Sequence, residues 1–214
     1  MSDPRIQATG PDATGSRRIG IFGGTFDPPH RAHLALACAA RDTLALDELR
    51  WVPAGQPWQK ARAITPALHR EAMVREAIAG ERGFVLDRCE LERDGPSYMV
   101  DTVDTLRAKE PGASWVLVLG HDQWAGLHTW HRWKDLLAAV ELAVANRPGT
   151  ANVADAEVVG RARLTVPLPL LDISSTDIRQ RVSRGEPIDR LVPPAVARYI
   201  ERHHLYRKDA HSAH

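Results

Sequence analysis

Trp115-Val116-Leu117-Val118-Leu119 is an unbroken apolar run, with no polar residue to turn toward solvent. A strand of this kind is stable only where both faces of its sheet are covered, as in a parallel sheet between two layers of helices. The rest of the chain repeats the theme. Residues 19–22, 49–52, 84–86, 142–145 and 164–166 are further short strand-like runs. Between and after them come stretches with helical composition: 33–44, 67–79, 97–109, a segment closing at 136–139, 175–182 and 194–203. Thr65-Pro66 reads as an N-cap followed by an N1 proline for the second of these. Strands separated by helices at this spacing form βαβ units. The expected fold is therefore α/β: one doubly wound parallel sheet, Rossmann-like, with a C-terminal helical portion. The 214 residues suffice for one large domain. Residues 1–16 and 208–214 lack periodicity and read as disordered tails around a domain at 17–207.

Several function classes are excluded early. The formal net charge is +1, so nothing provides a sequence-independent grip on nucleic acid or an anionic membrane. No apolar run approaches the ~18 residues that cross a bilayer, and the first twenty residues have no apolar core of a secretory signal. Cys38 and Cys89 are too few for a disulfide framework or a metal cluster. A cytoplasmic protein is expected, with homo-oligomerisation left open. In a doubly wound sheet ligands bind beyond the carboxyl ends of the strands. Function is expected just after Phe22, Val52, Leu119 and Leu171.

Gly23-Gly24-Thr25-Phe26-Asp27-Pro28-Pro29-His30-Arg31-Ala32-His33 follows the first strand. Paired glycines let a backbone approach phosphate closely. His30 and His33 are three apart, so they share a face at a helix N-terminus, where unpaired N–H groups and the helix dipole favour an anion. Two imidazoles there can stabilise charge that builds on a phosphate under attack. The competing readings are a metal pair or a surface pair. Helical metal spacing is rather i, i+4, and no third ligand stands out. The glycines do not make the GxGxxG of a dinucleotide fold.

Asp172-Ile173-Ser174-Ser175-Thr176-Asp177-Ile178-Arg179 joins an apolar run to a helix. Ser174, Ser175 and Thr176 can cap that helix and bind an anion, and Arg179 can fork onto phosphate oxygens from the first turn. An ordinary N-cap beside a solvated arginine is the alternative.

GGTFDPPHRAH resembles the GGTFDPxHxGH signature of nucleotidyltransferases with an (H/T)xGH motif, and Ile173 to Arg179 resemble the ISSTxxR element of the same superfamily. Ala32 stands where the family has glycine. The resemblance covers most of residues 18–207, and the intermediate segments are similar to those of nicotinate-mononucleotide adenylyltransferases. It implies a nucleotidyltransferase fold and adenylate transfer from ATP to nicotinate mononucleotide, giving deamido-NAD and pyrophosphate, with Mg2+ on the triphosphate. It implies that His30, His33, Arg179 and Lys60 serve catalysis. Gly23, Gly24, Thr25, Phe26, Gly120, Asp122, Arg147, Ser174, Ser175 and Thr176 would bind ATP, with Asp122 near ribose and Arg147 of the Arg147-Pro148-Gly149 loop near adenine.

Further residues of the resemblance concern the second substrate. Trp130 would stack on the pyridine ring, with the His131 N–H near its carboxylate, and Tyr98 and Met99 would line the substrate. Met99 replaces a family threonine, and Trp58-Gln59-Lys60 stands where many relatives have Pro-His-Lys. Alternatives are a solvated Lys60, a helix N-cap role for Asp122, a surface ion pair for Arg147, and a core role for either tryptophan, preferred for Trp133. The competing functions are an adenylyltransferase acting on nicotinamide mononucleotide and a nucleotide-binding module without turnover. His69, His203 and His204 have no partners that the sequence names and are read as exposed or structural.

Overall fold

The structure, a computed structural model, describes residues 15–57, 64–146, 156–160, 163–167 and 171–207. Lys60, Arg147 and both tails beyond Gly15 and Arg207 lie outside the described residues.

Six strands form one all-parallel sheet: β1 Arg18–Gly24, β2 Glu48–Pro53, β3 Phe84–Leu86, β4 Ser114–Leu119, β5 Glu141–Asn146 and β6 Leu164–Pro167. Their spatial order is β3-β2-β1-β4-β5-β6. The direction of travel reverses between β1 and β4, and a crevice opens there at the carboxyl ends.

Helices cover both faces. One layer holds α1 Arg31–Thr43, α2 Ala67–Ile78, α7 Ser175–Ser183 and α8 Pro194–Arg202. The other holds α3 Met99–Lys109, α4 His121–Ala125, α5 Trp133–Ala139 and α6 Ala156–Val159. The pleat explains the unbroken apolar strands. Along β4, Val116 and Val118 enter the first core, whereas Trp115, Leu117 and Leu119 enter the second. In β5, Ala143 and Ala145 face the first, Leu142 and Val144 the second. Each face buries its own side chains, so neither position of the period-two repeat can be polar.

Boundaries differ from the sequence reading in informative ways. The paired glycines end β1 rather than follow it, and Gly24 still pairs with Pro53. Helix α1 starts at Arg31, with His30 as its N-cap. Pro66, not Thr65, is the N-cap of α2, and the Thr65 carbonyl is given instead to the Arg70 side chain. Tyr98 caps α3, so Ser97 lies outside it. His69 and His203 do have partners: His69 Nδ1 lies 3.0 Å from the Tyr199 hydroxyl, and the His203 ring packs against both. They join α2 to α8.

Arg70 is the unexpected core residue. It occupies the buried stripe of α2 with Met73, Val74 and Ala77, and is 1% exposed. Its guanidinium donates to the carbonyls of Thr65 (2.9 Å), Thr25 (3.0 Å) and Gly55 (3.3 Å). Those oxygens belong to the start of α2, the β1–α1 turn and the β2–α2 loop. A buried guanidinium is tolerated because each bond is charge-assisted and each carbonyl otherwise lacks a ladder partner. Arg70→Met keeps the bulk and strands the carbonyls. It should lower stability by about 3 kcal/mol, read from chemical denaturation; an unchanged midpoint would show that the loops do not depend on this side chain.

Candidate active site

A cleft of ≈520 Å³ opens at the switch point between β1 and β4. Three stretches line it: Gly23 to Asp27 with His30 and His33, Gly120 to Gln123, and Leu171 to Thr176 with Arg179. The two motifs, far apart in sequence, therefore share one cavity. A smaller pocket of ≈100 Å³ adjoins it, lined by Tyr98, Met99, Glu90, Ser97, Trp130 and His131 among others. Gly23, Gly24, Thr25 and Gln123 line both.

The turn after β1 is built tightly. Phe26 holds a left-handed backbone (φ 49°) and turns its ring under Gly24, against Phe22 and Trp51. A Cβ on Gly24 would meet that ring at 2.9 Å. The chain then enters α1 at His30. The His30 N–H donates to His33 Nδ1 at 3.2 Å, and the two rings stack with centroids 3.6 Å apart. With Nδ1 accepting, neutral His33 carries its proton on Nε2. Burial lowers His30 to about 4, and holds His33 well below its usual range, with the neighbouring His30 adding to the effect. Near neutral pH both rings are uncharged donors.

Helix α7 docks onto the same turn. Ser174 is its N-cap and accepts from the Asp177 N–H (3.1 Å). The Ser175 hydroxyl donates to the Pro28 carbonyl (3.0 Å). Arg179 Nη1 donates to the Asp27 carbonyl (2.7 Å), and Nη2 to the Thr176 hydroxyl (3.1 Å). Ser175 gives its hydroxyl hydrogen to the protein, whereas Ser174 and Thr176 only accept, so their O–H groups line the cleft beside the helix backbone and the guanidinium. Arg179 lies at the start of the second turn rather than in the first. Its arginine is tied to the turn, not solvated.

After β4, Gly120 is the N-cap of α4, and Asp122 sits exposed within the first turn. The N-cap reading for Asp122 is therefore corrected. In the smaller pocket Trp130 is half-buried and the His131 ring stacks on Tyr98 at 4.3 Å. The Met99 methyl group occupies the space that a Cβ on Gly23 would need. Trp133 is half-buried against the second core, with Lys134 over its ring. Thr102 is fully buried and donates to Glu90 (2.6 Å).

Sequence reasoning missed Arg70, Glu90, Gln123 and Tyr206. Glu90 is 4% exposed and burial raises its carboxyl above the usual range, while hydroxyls of Thr102 and Ser97 counter that shift. The one available signal was periodicity: Arg70 falls on the apolar stripe of its helix. Glu90 and Tyr206 lie in irregular segments where no period points inward.

Fold and site together define a nucleotidyltransferase-like class of parallel α/β domain, with glycines, imidazoles and a helix N-terminus lining one cleft. A family model described as cytidylyltransferase-like matches residues 21–181. A relative from Methylibium petroleiphilum, described as "Probable nicotinate-nucleotide adenylyltransferase", is 49% identical over 201 residues, covering 91% of this chain and 95% of that one. A relative from Bordetella petrii with the same description is 45% identical over 197 residues, covering 89% and 100%. The chain belongs to the nicotinate-nucleotide adenylyltransferase family. Among solved structures, the Plasmodium falciparum nicotinic acid mononucleotide adenylyltransferase complexed with NaAD superimposes with a TM-score of 0.72 over 89% of this chain and 97% of that one. At 20% identity that likeness speaks for the fold.

Burial of the imidazoles makes stability depend on pH. An unfolded histidine titrates near 6.5, and folded His30 near about 4. Between those values the unfolded chain binds more protons, so this contribution is present above 6.5 and is lost as pH falls toward 4. His30→Gln should flatten the loss of stability between those two pH values, measured by denaturation midpoints. Parallel curves for the two proteins would refute the neutral, buried imidazole.

Proposed function

We infer that the chain transfers adenylate from ATP to nicotinate mononucleotide, giving deamido-NAD and pyrophosphate, a step of NAD biosynthesis. The observation that carries this reading is the pair of adjoining cavities meeting at Gly23-Gly24-Thr25. The larger has the volume and donors for a nucleoside triphosphate. The smaller has an indole edge and little room, suited to a flat ring. Two substrates seated there would bring a phosphate of one against the α-phosphate of the other at the shared glycines.

In this reading an oxygen of the nicotinate mononucleotide phosphate forms a bond to the α-phosphorus, and the bond from that phosphorus to the pyrophosphate oxygen breaks. The protein forms no covalent bond. His30 and His33 donate to phosphate oxygens as charge builds on them, and Arg179, held by Asp27, adds a fixed positive charge. Gly23, Gly24, Thr25 and Phe26 bring backbone close to the phosphates, and Ser174 to Thr176 present the N-terminus of α7. Gly120 and Asp122 face the adenosine side, as would Arg147. Lys60, on the β2–α2 loop, would close on the phosphates. Trp130 stacks on the pyridine ring, beside Tyr98, Met99 and the His131 N–H.

Mg2+ enters as part of the ATP substrate. The cleft offers hydroxyls, imidazoles and a guanidinium with the scattered carboxylates of Asp122 and Asp172. Among the described residues no group of three His, Cys, Asp or Glu side chains could cage an ion. That donor set fits a cation held by phosphate and water. No described helix is long and apolar enough to cross a membrane, and a cytoplasmic site of action fits the substrates.

Pyrophosphate release with ATP and nicotinate mononucleotide tests the reading directly. Turnover should be faster than with nicotinamide mononucleotide in the same assay; no release with either would leave only a binding module. His33→Ala should lower kcat by about 10²–10³-fold with the fold intact by circular dichroism, and retained turnover would remove its role. Trp130→Ala should raise KM for nicotinate mononucleotide by about tenfold while leaving KM for ATP unchanged. A rise in both would place the indole elsewhere.

A further inference from the structure

The β1–α1 turn is held from a direction that the substrates do not approach. Beyond α8 the chain makes a tight turn in which His204 and Tyr206 both hold left-handed backbone, at φ 50° and 66°. Such backbone costs about 1–3 kcal/mol and persists only where the surroundings impose it. The Tyr206 side chain runs back beneath the turn that carries the histidines. Its hydroxyl donates to Asp27 Oδ1 at 2.8 Å, and Met73 Sδ lies 3.9 Å away. The Thr65 side chain bonds the same phenol, and burial pushes the phenol upward, so it remains a donor at every working pH.

Asp27 is 1% exposed. Its carboxylate meets Tyr206, while its backbone carbonyl takes Arg179 Nη1. One residue of the turn is therefore gripped at two points, by the C-terminal segment and by a cleft-lining guanidinium. His30 follows three residues later. Tyr206 itself is not among the residues that line either cavity.

We propose that Tyr206 is a positioning residue for adenylate transfer: its hydrogen bond to the Asp27 carboxylate fixes the turn that places His30 and seats Arg179, without contact to either substrate. The proposal rests on the cleft being the adenylate-transfer site. Its physical basis is that transition-state stabilisation is steep in distance, so a displacement of about 1 Å in a donor can cost ~10²-fold in rate. Ground-state binding in the smaller pocket, on the other side of the shared glycines, is shielded from that displacement.

The test compares Y206F, D27A and the double variant with the wild type at 25 °C by pyrophosphate release. Denaturation midpoints confirm that each is folded at that temperature. In Y206F kcat should fall by about tenfold while KM for nicotinate mononucleotide stays within about twofold. D27A, which removes the accepting oxygen, should lose kcat in the same sense. The double variant should be no slower than D27A alone, since both changes break one contact. A merely structural tyrosine would lower the midpoint and leave kcat per folded molecule unchanged, and that result overturns the proposal. So do losses that multiply in the double variant. If Y206F does not fold, an unchanged kcat in D27A overturns it equally. Absence of pyrophosphate release by the wild type would instead remove the adenylate-transfer reading, and the role of Tyr206 with it.

Discussion

Backbone carbonyls in the turn after β1 have no strand or helix to receive them, and the whole site depends on what does. Thr25, Asp27 and Pro28 each present an oxygen that the sheet ladder cannot reach. Arg70, Arg179 and Ser175 supply the donors. They come from α2 and α7, separated by about a hundred residues of chain, yet they converge on four consecutive residues. An unmet buried carbonyl costs about 1–3 kcal/mol, so this convergence is what makes the turn worth holding in one shape. Once it is held, the positions of His30 and the α7 N-terminus follow. The two motifs are thus one mechanical unit.

The electrostatics of the cleft depend on the same rigidity. Stacked imidazoles 3.6 Å apart would repel if both were charged. Burial keeps both neutral, with His30 adding to the effect on His33, and in the proposed reaction this suits donors that bind a polyanion without forming a permanent salt link to it. Fixed positive charge is delegated to Arg179, whose guanidinium cannot lose its proton and whose orientation is set by Asp27 and Thr176. In the proposed reaction an incoming triphosphate would meet neutral donors in the middle and a cation at one side. Donors already oriented need no rearrangement as charge develops, which is how such a site lowers a barrier.

Much of this was legible in the sequence, and the parts that were not share a cause. β1, β4 and β5 were readable because they bury both faces, so their runs hold no charged or hydroxyl residue, whereas β2 carries Arg50 and the edge strands β3 and β6 are short and partly exposed. The cleft was readable because glycines, histidines and a hydroxyl-rich helix start are rare together at strand ends. Arg70 was hidden because a charged residue in a helix reads as solvent-facing, and only its register with Met73, Val74 and Ala77 argues otherwise. Ser174 was legible as a cap, but the partner of the neighbouring Ser175 hydroxyl was not, since the Pro28 carbonyl is brought to it by tertiary packing. Thr65-Pro66 misled in a smaller way: the pair is a sound helix opening locally, but Arg70 claims the Thr65 carbonyl and Pro66 becomes the cap.

Strain and burial in this region run against what stability alone would select. Phe26 and Tyr206 hold left-handed backbone, Arg70 and Asp27 carry charge into the interior, and each is individually unfavourable. Apolar replacements of similar volume would relieve the desolvation of the charges, yet they could not hold the turn, because packing is forgiving by several tenths of an ångström and a short charge-assisted hydrogen bond is not. The backbone at Gly24 sits within van der Waals reach of the Phe26 ring, and the Met99 methyl fills the space beside Gly23, so the turn has room to move only where those polar ties release it. Polar anchors beneath and aromatic packing around the glycines constrain different degrees of freedom: the first fixes where the turn sits, the second how closely its backbone can approach a phosphate. Neither set could replace the other, which is why a segment as short as Gly23 to Pro28 draws contacts from β2, α1, α2, α3, α7 and the segment beyond α8.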